Sequence, residues 1–258
     1  MSWTLVPIGD LLLWRADDAP PGCVIAATTR AGGASEPPYA SLNLGLSTDD
    51  RPAAVAENRR RVLAALGFAP DRLATAGQVH GTRVTHVAAP GLHRDTDGLA
   101  TTEPGLALAV SGADCLPLLY CAGGAVAAAH AGWRGVVAGM PRAALDTTLA
   151  LAGAGADAAR VWIGPGIGPC CFRVGDDVAA QFPTAAVERR ADGAHVDLAA
   201  AVRLELEAAG VPAAAITGPP ACTSCAADRC FSHRRDRGIT GRQWGLAGRF
   251  GPANGGRV

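Results

Sequence analysis

The chain has 258 residues and a mass of 26.0 kDa, which allows one large domain or two small ones. With 49% apolar and 18% charged residues, it has the composition of a globular protein rather than that of a disordered chain. The 23 basic residues, all arginine, balance 23 acidic ones. The net charge therefore gives no support to a nucleic-acid or membrane partner, and the lack of lysine excludes a Walker A loop and a pyridoxal-phosphate Schiff base.

The first half of the chain is predicted to contain several short strands and one helix. An apolar run predicts a strand over 24–29, and Pro52 after an acidic turn begins a helix over 53–66 that Gly67 ends. Further strands are predicted over 74–79, 82–87, 106–110, 116–121 and 125–129. Charged and glycine residues interrupt the most apolar window, 106–129, so it is interpreted as buried strands and not as a membrane helix.

The second half is predicted to contain more helix. A long helix is expected over 133–152, a strand over 161–163, and two further helices over 175–181 and 196–209. Residues 249–258 are predicted to form a disordered tail. Strands and helices mix without regular βαβ alternation, which favours a single α/β domain of mixed α+β type. We expect a layered sandwich of mixed sheets flanked by helices.

The N-terminus and the cysteines indicate the compartment. Residues 1–18 lack a basic n-region and carry Asp10 before the apolar run, so they do not resemble a signal peptide. A cytoplasmic protein is expected. Its eight cysteines are then predicted to be reduced thiols or metal ligands rather than a disulfide framework.

Three residues, His80, Cys115 and His130, are candidate metal ligands. Each lies at a strand edge or a sharp turn and is followed closely by glycine or proline. Two imidazoles and a thiolate suit zinc, and three protein ligands leave a fourth position open for water or substrate. The alternative is that each is a separate core or loop residue, since their long spacing does not show that they meet.

The segment 125–135 is a candidate anion site. A strand is predicted to end at His130 and a helix to begin at Trp133, which aims backbone N–H groups at an anion. Arg134 in the first helical turn is consistent with a nearby anion, although an exposed arginine on a long helix is an equal alternative. Asp114 is the carboxylate nearest the metal-ligand candidates and a candidate general acid or base. Its alternative is a strand-end aspartate bonded to backbone.

Eight segments together resemble one known family. They are TTRAGG (28–33), SLNL (41–44), ENR (57–59), QVHG (78–81), ADCLP (113–117), HAGWRG (130–135), IGP with CC (163–165 and 170–171), and FS through RR to TGR (231–242). In this order they resemble the YfiH-like family, long described as multicopper polyphenol oxidases or laccase-domain proteins, over residues 23–247. The resemblance implies a single α/β domain in which His80, Cys115 and His130 converge on one metal site. It also implies purine nucleoside chemistry, namely phosphorolysis of adenosine, inosine, guanosine and methylthioadenosine, and deamination of adenosine.

These implications lead to a hypothesis of a zinc-dependent enzyme acting on a small purine nucleoside, as a monomer or weak homo-oligomer. Phosphorolysis needs bound phosphate as co-substrate, and Arg30 is the first candidate for its clamp because a guanidinium grips phosphate bidentately. Asn43 is expected to add a hydrogen bond. Deamination needs hydroxide at the purine C6, which zinc supplies by lowering the pKa of water to about 7. The usual deaminase signature is absent, so this activity would come from a different scaffold.

Three other functions stay open. Cys115 as a nucleophile, with His130 as base and His80 as orienting group, would make a hydrolase of amides or esters, including cell-wall precursors. A multicopper oxidase needs many histidines, but the chain has six and no His-x-His pair. Copper can still occupy the same three ligands, because it binds them more tightly than zinc. A non-enzymatic metal-binding module is the last alternative.

The remaining cysteines raise the question of a second metal site. Cys222, Cys225, Cys230 and His233 are the right residue types for a closed zinc tetrahedron. Their tight spacing and the resemblance instead predict a loop without metal, and hence one zinc per chain. The neighbouring pair 170–171 is predicted to be buried thiols, because adjacent cysteines bridge only with strain. Cys23 and Cys121 are assigned to strand core.

Overall fold

The computed structural model describes residues 2–251 and contains two large sheets, one small sheet and five α-helices. In chain order the strands are β1 (Trp3–Ile8), β2 (Leu11–Ala16), β3 (Cys23–Thr28), β4 (Leu73–Ala76), β5 (Val84–His86), β6 (Gly91–His93), β7 (Gly98–Thr101), β8 (Ala107–Gly112), β9 (Leu116–Ala122), β10 (Ala125–Ala131), β11 (Arg160–Ile163), β12 (Arg173–Val174), β13 (Val187–Arg190), β14 (Gly193–Val196), β15 (Ile216–Thr217) and β16 (Gln243–Arg249). The helices are α1 (Pro52–Ala65), α2 (Trp133–Val137), α3 (Met140–Ala152), α4 (Asp176–Ala179) and α5 (Leu198–Ala208).

The sheets are mixed. The seven-stranded sheet has the order β1-β2-β3-β16-β8-β4-β6, and the six-stranded sheet has the order β15-β11-β9-β10-β7-β5. A three-stranded antiparallel sheet, β12-β14-β13, stands apart. Pairs of β4 with β6 and β8, of β5 with β7 and of β11 with β15 are parallel, and the others are antiparallel. The predicted mixed α/β class is confirmed.

The two large sheets pack face to face, and side-chain alternation along β9 shows how. Leu119 and Cys121 enter the core between the sheets, together with side chains of β8 and β11. Leu118 and Tyr120 point the other way, into a core covered by α3 and α5. Since β9 is buried on both faces, it carries the near-continuous apolar run that the sequence shows.

The outer face of the seven-stranded sheet is covered by α1. Val62 and Leu63 on this helix pack with Trp244 and Leu246 of β16 in a further buried cluster. Burying such a side chain stabilises the fold by roughly 1.5–3 kcal/mol. The layers therefore run helix, sheet, sheet, helix, as the predicted sandwich flanked by helices requires.

The predicted helix over 133–152 is wrong, because the chain breaks it into α2 and α3. Gly139 has a φ of 91°, a left-handed conformation that glycine adopts without a Cβ clash and that no helix interior contains. Pro141 then lies in the first turn of α3, where its missing N–H costs nothing. The break frees α2 to sit as a separate short helix directly after His130.

Both ends of the chain also differ from the sequence-based expectation. The hairpin of β1 and β2 was not predicted; its Pro7 is tolerated because β1 is an edge strand. Arg249 closes β16 and the Phe250 ring stacks on Phe68 at 4.7 Å, so the predicted tail does not begin at 249. The rest of that prediction, residues 252–258, lies outside the described residues. Across residues 2–251, no helix combines the length and the apolar content needed to cross a bilayer.

Candidate metal centre and active site

A strained turn after β4 presents His80. The predicted strand over 74–79 ends early, because Gln78 and His80 have φ values of 56° and 64°. Such values are uncommon outside glycine and need an external support. The carboxylate of Asp97 provides it by accepting the backbone N–H groups of Val79 (3.0 Å), His80 (2.9 Å) and Gly81 (2.8 Å). One buried carboxylate thus fixes the turn that carries the first ligand candidate.

The same carboxylate orients His130 on β10. The Nδ1 atom of His130 lies 3.0 Å from Asp97 Oδ1, and the His130 backbone N–H donates to the Asp97 carbonyl at 2.7 Å. Because an ionised carboxylate only accepts, Nδ1 carries a hydrogen, and Nε2 is the nitrogen that would bind a metal after losing its own proton. Burial opposes ionisation of Asp97, but His130 and the three N–H groups outweigh it, and the pKa of Asp97 lies below its usual value.

Cys115 completes the group from the turn between β8 and β9. The ligand atoms of His80, Cys115 and His130 all lie within 4.8 Å of one another, and the two imidazole rings meet edge to face at 4.9 Å. Burial disfavours the thiolate of Cys115, yet hydrogen bonds from His130 and His80 lower its pKa to about 6. Burial likewise opposes the imidazolium of His130, but Asp97 and Cys115 raise its pKa to about 9. Near neutral pH the sulfur is therefore a thiolate, the form that binds metal.

The residues fit a zinc ion in both chemistry and space. Two imidazole nitrogens and one thiolate are a zinc donor set, and three ligands leave a coordination position open. Gly132 supplies the room: a Cβ there would lie 3.1 Å from Cys115 Sγ and 3.1 Å from His80 Cδ2. The carboxylate on the far nitrogen of His130 is the partner that metal-bound histidines usually have.

These three side chains line a cavity of about 780 Å³, a volume typical of small-molecule sites. Its wall includes bulky apolar side chains left open to solvent, with exposed fractions of 62% for Leu46, 59% for Val79 and 48% for Leu92. Trp133 and Phe172 add aromatic surface. An apolar and aromatic wall of this kind suits a flat heterocycle.

Arginines supply positive charge to the cavity. They are Arg59, Arg94, Arg134, Arg234 and Arg242. Arg242 donates through Nη1 to the carbonyls of Thr240 and Gly241, and its Nε and Nη2 have no hydrogen-bond partner among the residues described. Burial lowers the pKa of Arg242, an effect that neighbouring Cys115 and Asp114 oppose. Arg242 therefore brings donors without a partner among the described residues to a partly desolvated part of the cavity.

Two predicted phosphate-binding residues do not reach the cavity. The Arg30 guanidinium donates hydrogen bonds to the carbonyls of Ala40 (Nε 3.0 Å, Nη2 2.7 Å) and Ala227 (Nη1 3.1 Å). Asn43 is buried, and its Oδ1 accepts the backbone N–H of Arg242 at 2.9 Å. The loop that carries both residues folds against the C-terminal segment, so they support the fold, and Asn43 fixes the backbone of a cavity arginine.

The other two predicted positions, Arg134 and Asp114, both lie at the cavity. Arg134 lines the cavity, with its guanidinium 4.4 Å from the Trp133 ring centroid. Asp114 also lines it, but both of its oxygens are engaged, by Thr223 Oγ1 at 2.6 Å and by the Arg234 N–H at 2.7 Å. This matches the alternative of a hydrogen-bonded strand-end aspartate. Asp97 was missed altogether; the only sequence signal is an acidic residue directly before the apolar strand β7.

The C-terminal cysteines are arranged differently from the sequence-based grouping. Cys230 is fully buried against Trp14, away from Cys222 and Cys225, and His233 is exposed at the cavity. The prediction of buried thiols at 170–171 is wrong for Cys170, which is exposed. Both residues of that pair instead approach Cys222 and Cys225, since the loop after β11 lies against the C-terminal segment. Cys121 lies in the strand core as predicted, whereas Cys23 is only partly buried against it, with the two sulfurs 3.0 Å apart.

Comparison with known proteins places this geometry in a family. A family model described as multi-copper polyphenol oxidoreductase laccase matches residues 24–249. The purine nucleoside phosphorylase of Deinococcus radiodurans is 45% identical over 230 residues, which are 86% of this chain and 88% of that protein. The purine nucleoside phosphorylase YlmD of Geobacillus stearothermophilus is 39% identical over 262 residues, 92% of this chain and 94% of that protein.

Solved structures agree with the sequence relatives. The crystal structure of YlmD from Geobacillus stearothermophilus superposes with a TM-score of 0.89 at 36% identity, covering 96% of this chain and 99% of that one. The Bacillus licheniformis protein YfiH gives a TM-score of 0.87 at 33% identity, covering 95% and 98%. The chain therefore belongs to the YfiH/YlmD family, the laccase-like family whose curated relatives are named purine nucleoside phosphorylases.

Proposed function

We propose that this protein is a zinc-dependent purine nucleoside phosphorylase that also deaminates adenosine. The observation that carries the proposal is the meeting of His80, Cys115 and His130 in a cavity that also holds arginines with unused donors. The names of the relatives support the phosphorylase reaction. Adenosine, inosine, guanosine and methylthioadenosine are the proposed substrates, because a purine ring fits the apolar and aromatic wall.

Phosphorolysis joins a phosphate oxygen to the ribose C1′ and breaks the bond from C1′ to the purine nitrogen. The purine leaves with the bonding electrons and takes up a proton. Arg242 replaces Arg30 as the proposed phosphate clamp, because its Nε and Nη2 have no partner among the described residues and its charge interacts with Cys115 in the same cavity. Arg134 at the cavity wall adds positive charge. Asp114 acts as a positioning residue that holds the Arg234 backbone and Thr223.

His80, Cys115 and His130 are the proposed zinc ligands. Asp97 sets the His130 tautomer and the His80 turn, so that both rings are held before a substrate arrives. Zinc bound there supplies Lewis acidity and activates water near neutral pH, which deamination at the purine C6 requires. In that reaction water adds its oxygen to C6 and ammonia leaves, so no redox partner is needed. Copper is expected to bind the same residues, since it binds such ligands more tightly than zinc.

A thiol hydrolase is the second candidate, and the Cys115–His130 pair favours it. A thiolate with a pKa of about 6 beside an imidazolium is a competent nucleophile without any metal. Its substrate would be an amide or ester, such as a peptidoglycan precursor. Full activity in zinc-free protein, abolished by alkylation of Cys115, would favour this function; activity that requires stoichiometric zinc favours the phosphorylase.

The test is turnover of adenosine by zinc-loaded protein with and without phosphate. Adenine reports phosphorolysis, inosine reports deamination, and hypoxanthine reports both. We expect adenine only when phosphate is present and inosine under both conditions. His130→Ala should lose both products, whereas His93→Ala, a histidine on β6 outside the cavity wall, serves as the matched control. Absence of both adenine and hypoxanthine from the wild-type reaction with phosphate refutes the proposal.

A further inference from the structure

A second group of ligand atoms lies outside the cavity. The sulfurs of Cys170, Cys171, Cys222 and Cys225 all lie within 4.8 Å of one another. Cys225 Sγ is 3.5 Å from Cys170 Sγ and 3.4 Å from Cys171 Sγ. Four sulfurs around zinc at a Zn–S distance of about 2.3 Å stand about 3.8 Å apart, whereas a disulfide brings two sulfurs to about 2.05 Å. These separations exceed that of a disulfide and are compatible with four sulfurs around one metal ion.

The backbone at Gly168 lies close to two of these sulfurs. The Gly168 N–H points at Cys222 Sγ at 3.2 Å, a contact that stabilises a thiolate. A Cβ on Gly168 would lie 3.4 Å from Cys170 Sγ and 3.3 Å from Cys222 Cβ. Glycine at this position therefore lets the first loop close over the sulfurs of both segments.

Two arginines donate hydrogen bonds to the loops that carry the four cysteines. Arg235 Nη1 donates to the carbonyls of Thr223 (2.9 Å) and Ser224 (3.4 Å), the two residues between Cys222 and Cys225. Arg234 Nη1 donates to the carbonyl of Cys171 at 3.3 Å. Four thiolates around a divalent ion carry a net charge of −2, and Arg234 brings a positive charge close to this excess. Arg235 is ion-paired with Asp236 at 2.8 Å, so its contribution is to hold the loop between Cys222 and Cys225.

We propose that Cys170, Cys171, Cys222 and Cys225 bind one zinc ion in a closed, structural four-thiolate site. All four positions of the tetrahedron are protein sulfurs, so none is open to substrate. The ligand set replaces the grouping of Cys222 and Cys225 with Cys230 and His233. The site stands independently of the proposed enzyme activity, and it predicts two zinc ions per chain.

The metal would join two segments that are distant in the sequence, since Cys225 lies 55 positions after Cys170 and 54 positions after Cys171. Both border the cavity: Phe172, next to the first cysteine pair, lines it, and Thr223 holds Asp114. Zinc at the four thiols thus braces one wall of the candidate active site. Its loss should lower the melting temperature and weaken substrate binding, while the His80–Cys115–His130 group keeps its own metal.

The experiment is zinc stoichiometry in five proteins purified under reductant. We expect about two zinc ions per chain in the wild type, one in Cys225→Ser, one in His130→Ala and none in the double variant. Cys230→Ala is the matched control, because this cysteine lies in the same segment but outside the cluster, and it should keep both. One zinc in the wild type, or two in Cys225→Ser, overturns the proposal.

Thiol mapping of the wild type keeps the test decisive if Cys225→Ser fails to fold. Zinc-loaded protein is alkylated before and after chelation, and the modified cysteines are identified by mass spectrometry. The proposal predicts protection of all four thiols before chelation and their joint exposure afterwards, although Cys170 and Cys225 are exposed residues. Rapid alkylation of the four in zinc-loaded protein, or disulfides among them in freshly isolated protein, contradicts it.

Discussion

Replacement of Asp97 by Asn tests whether one buried carboxylate organises the metal centre. In the wild type Oδ1 accepts the His80 N–H and His130 Nδ1, and Oδ2 accepts the N–H groups of Val79 and Gly81. Asparagine keeps one acceptor oxygen and turns the other into an NH₂ group that faces donors. We expect both the turn and the His130 tautomer to loosen, although the side-chain volume is almost unchanged.

The magnitude follows from the bonds lost. Hydrogen bonds to charged groups contribute about 1.5–3 kcal/mol each, so losing two lowers the free energy of unfolding by about 3–6 kcal/mol. Losing the carboxylate behind a ligating histidine typically weakens metal binding about 10–100-fold. Because the pKa of Asp97 lies below its usual value, its ionisation stabilises the fold above pH of about 3.9, and this contribution is lost as pH falls through the lowered pKa.

Zinc affinity is measured by competition with a chromogenic chelator, and stability by denaturant unfolding with and without zinc. Asp95→Asn is the matched control, because Asp95 lies two residues away, is exposed and shares the left-handed backbone that asparagine tolerates. The control should bind zinc like the wild type. Equal zinc affinity and equal stability in Asp97→Asn and the control would refute the organising role of this carboxylate.

Four further predictions concern the cavity and the loop that supports it. Gly132→Ala should weaken zinc binding in chelator competition, since the new Cβ would lie 3.1 Å from Cys115 Sγ. Unchanged zinc affinity would show that the neighbouring side chains move to accommodate the Cβ. Arg242→Ala should raise the KM for phosphate about tenfold or more, the equivalent of one charge-assisted bond, and leave deamination nearly unchanged. Arg30→Ala should lower stability without affecting phosphorolysis more than deamination. A loss confined to phosphorolysis would indicate that Arg30 binds the phosphate after all. In zinc-free protein the alkylation rate of Cys115 should rise with a midpoint near pH 6 because its pKa is about 6; a midpoint near the usual thiol value would contradict the thiolate assignment.

The layers of the fold follow from patterns that the sequence displays locally. Apolar runs such as 116–121 predict buried strands because both of their faces are covered. The break at Gly139 was missed because apolar periodicity continues across it, although Gly139 and Pro141 are helix-breaking residues in the sequence. The β1–β2 hairpin was missed because its strands have no clean alternation and one carries a proline.

The candidate site was harder to predict than the layers because its parts come from distant segments. Residue type and the family resemblance pointed to His80, Cys115 and His130, but their proximity depends on sheet pairing. Asp97 has no motif of its own, and its role depends on the positive φ of the turn it supports. Arg30 misled because a guanidinium in a glycine-rich loop resembles a phosphate clamp until its donors are found on backbone carbonyls.

The central claim is that the His80–Cys115–His130 centre carries out phosphorolysis. The most direct measurement is formation of ribose 1-phosphate from adenosine and phosphate by wild-type and His130→Ala protein under identical conditions. With the wild type we predict ribose 1-phosphate in an amount equal to adenine and hypoxanthine together. His130→Ala should give only background, while both proteins keep their fold by circular dichroism. Equal rates in the two proteins, or adenine released without ribose 1-phosphate, would contradict the account.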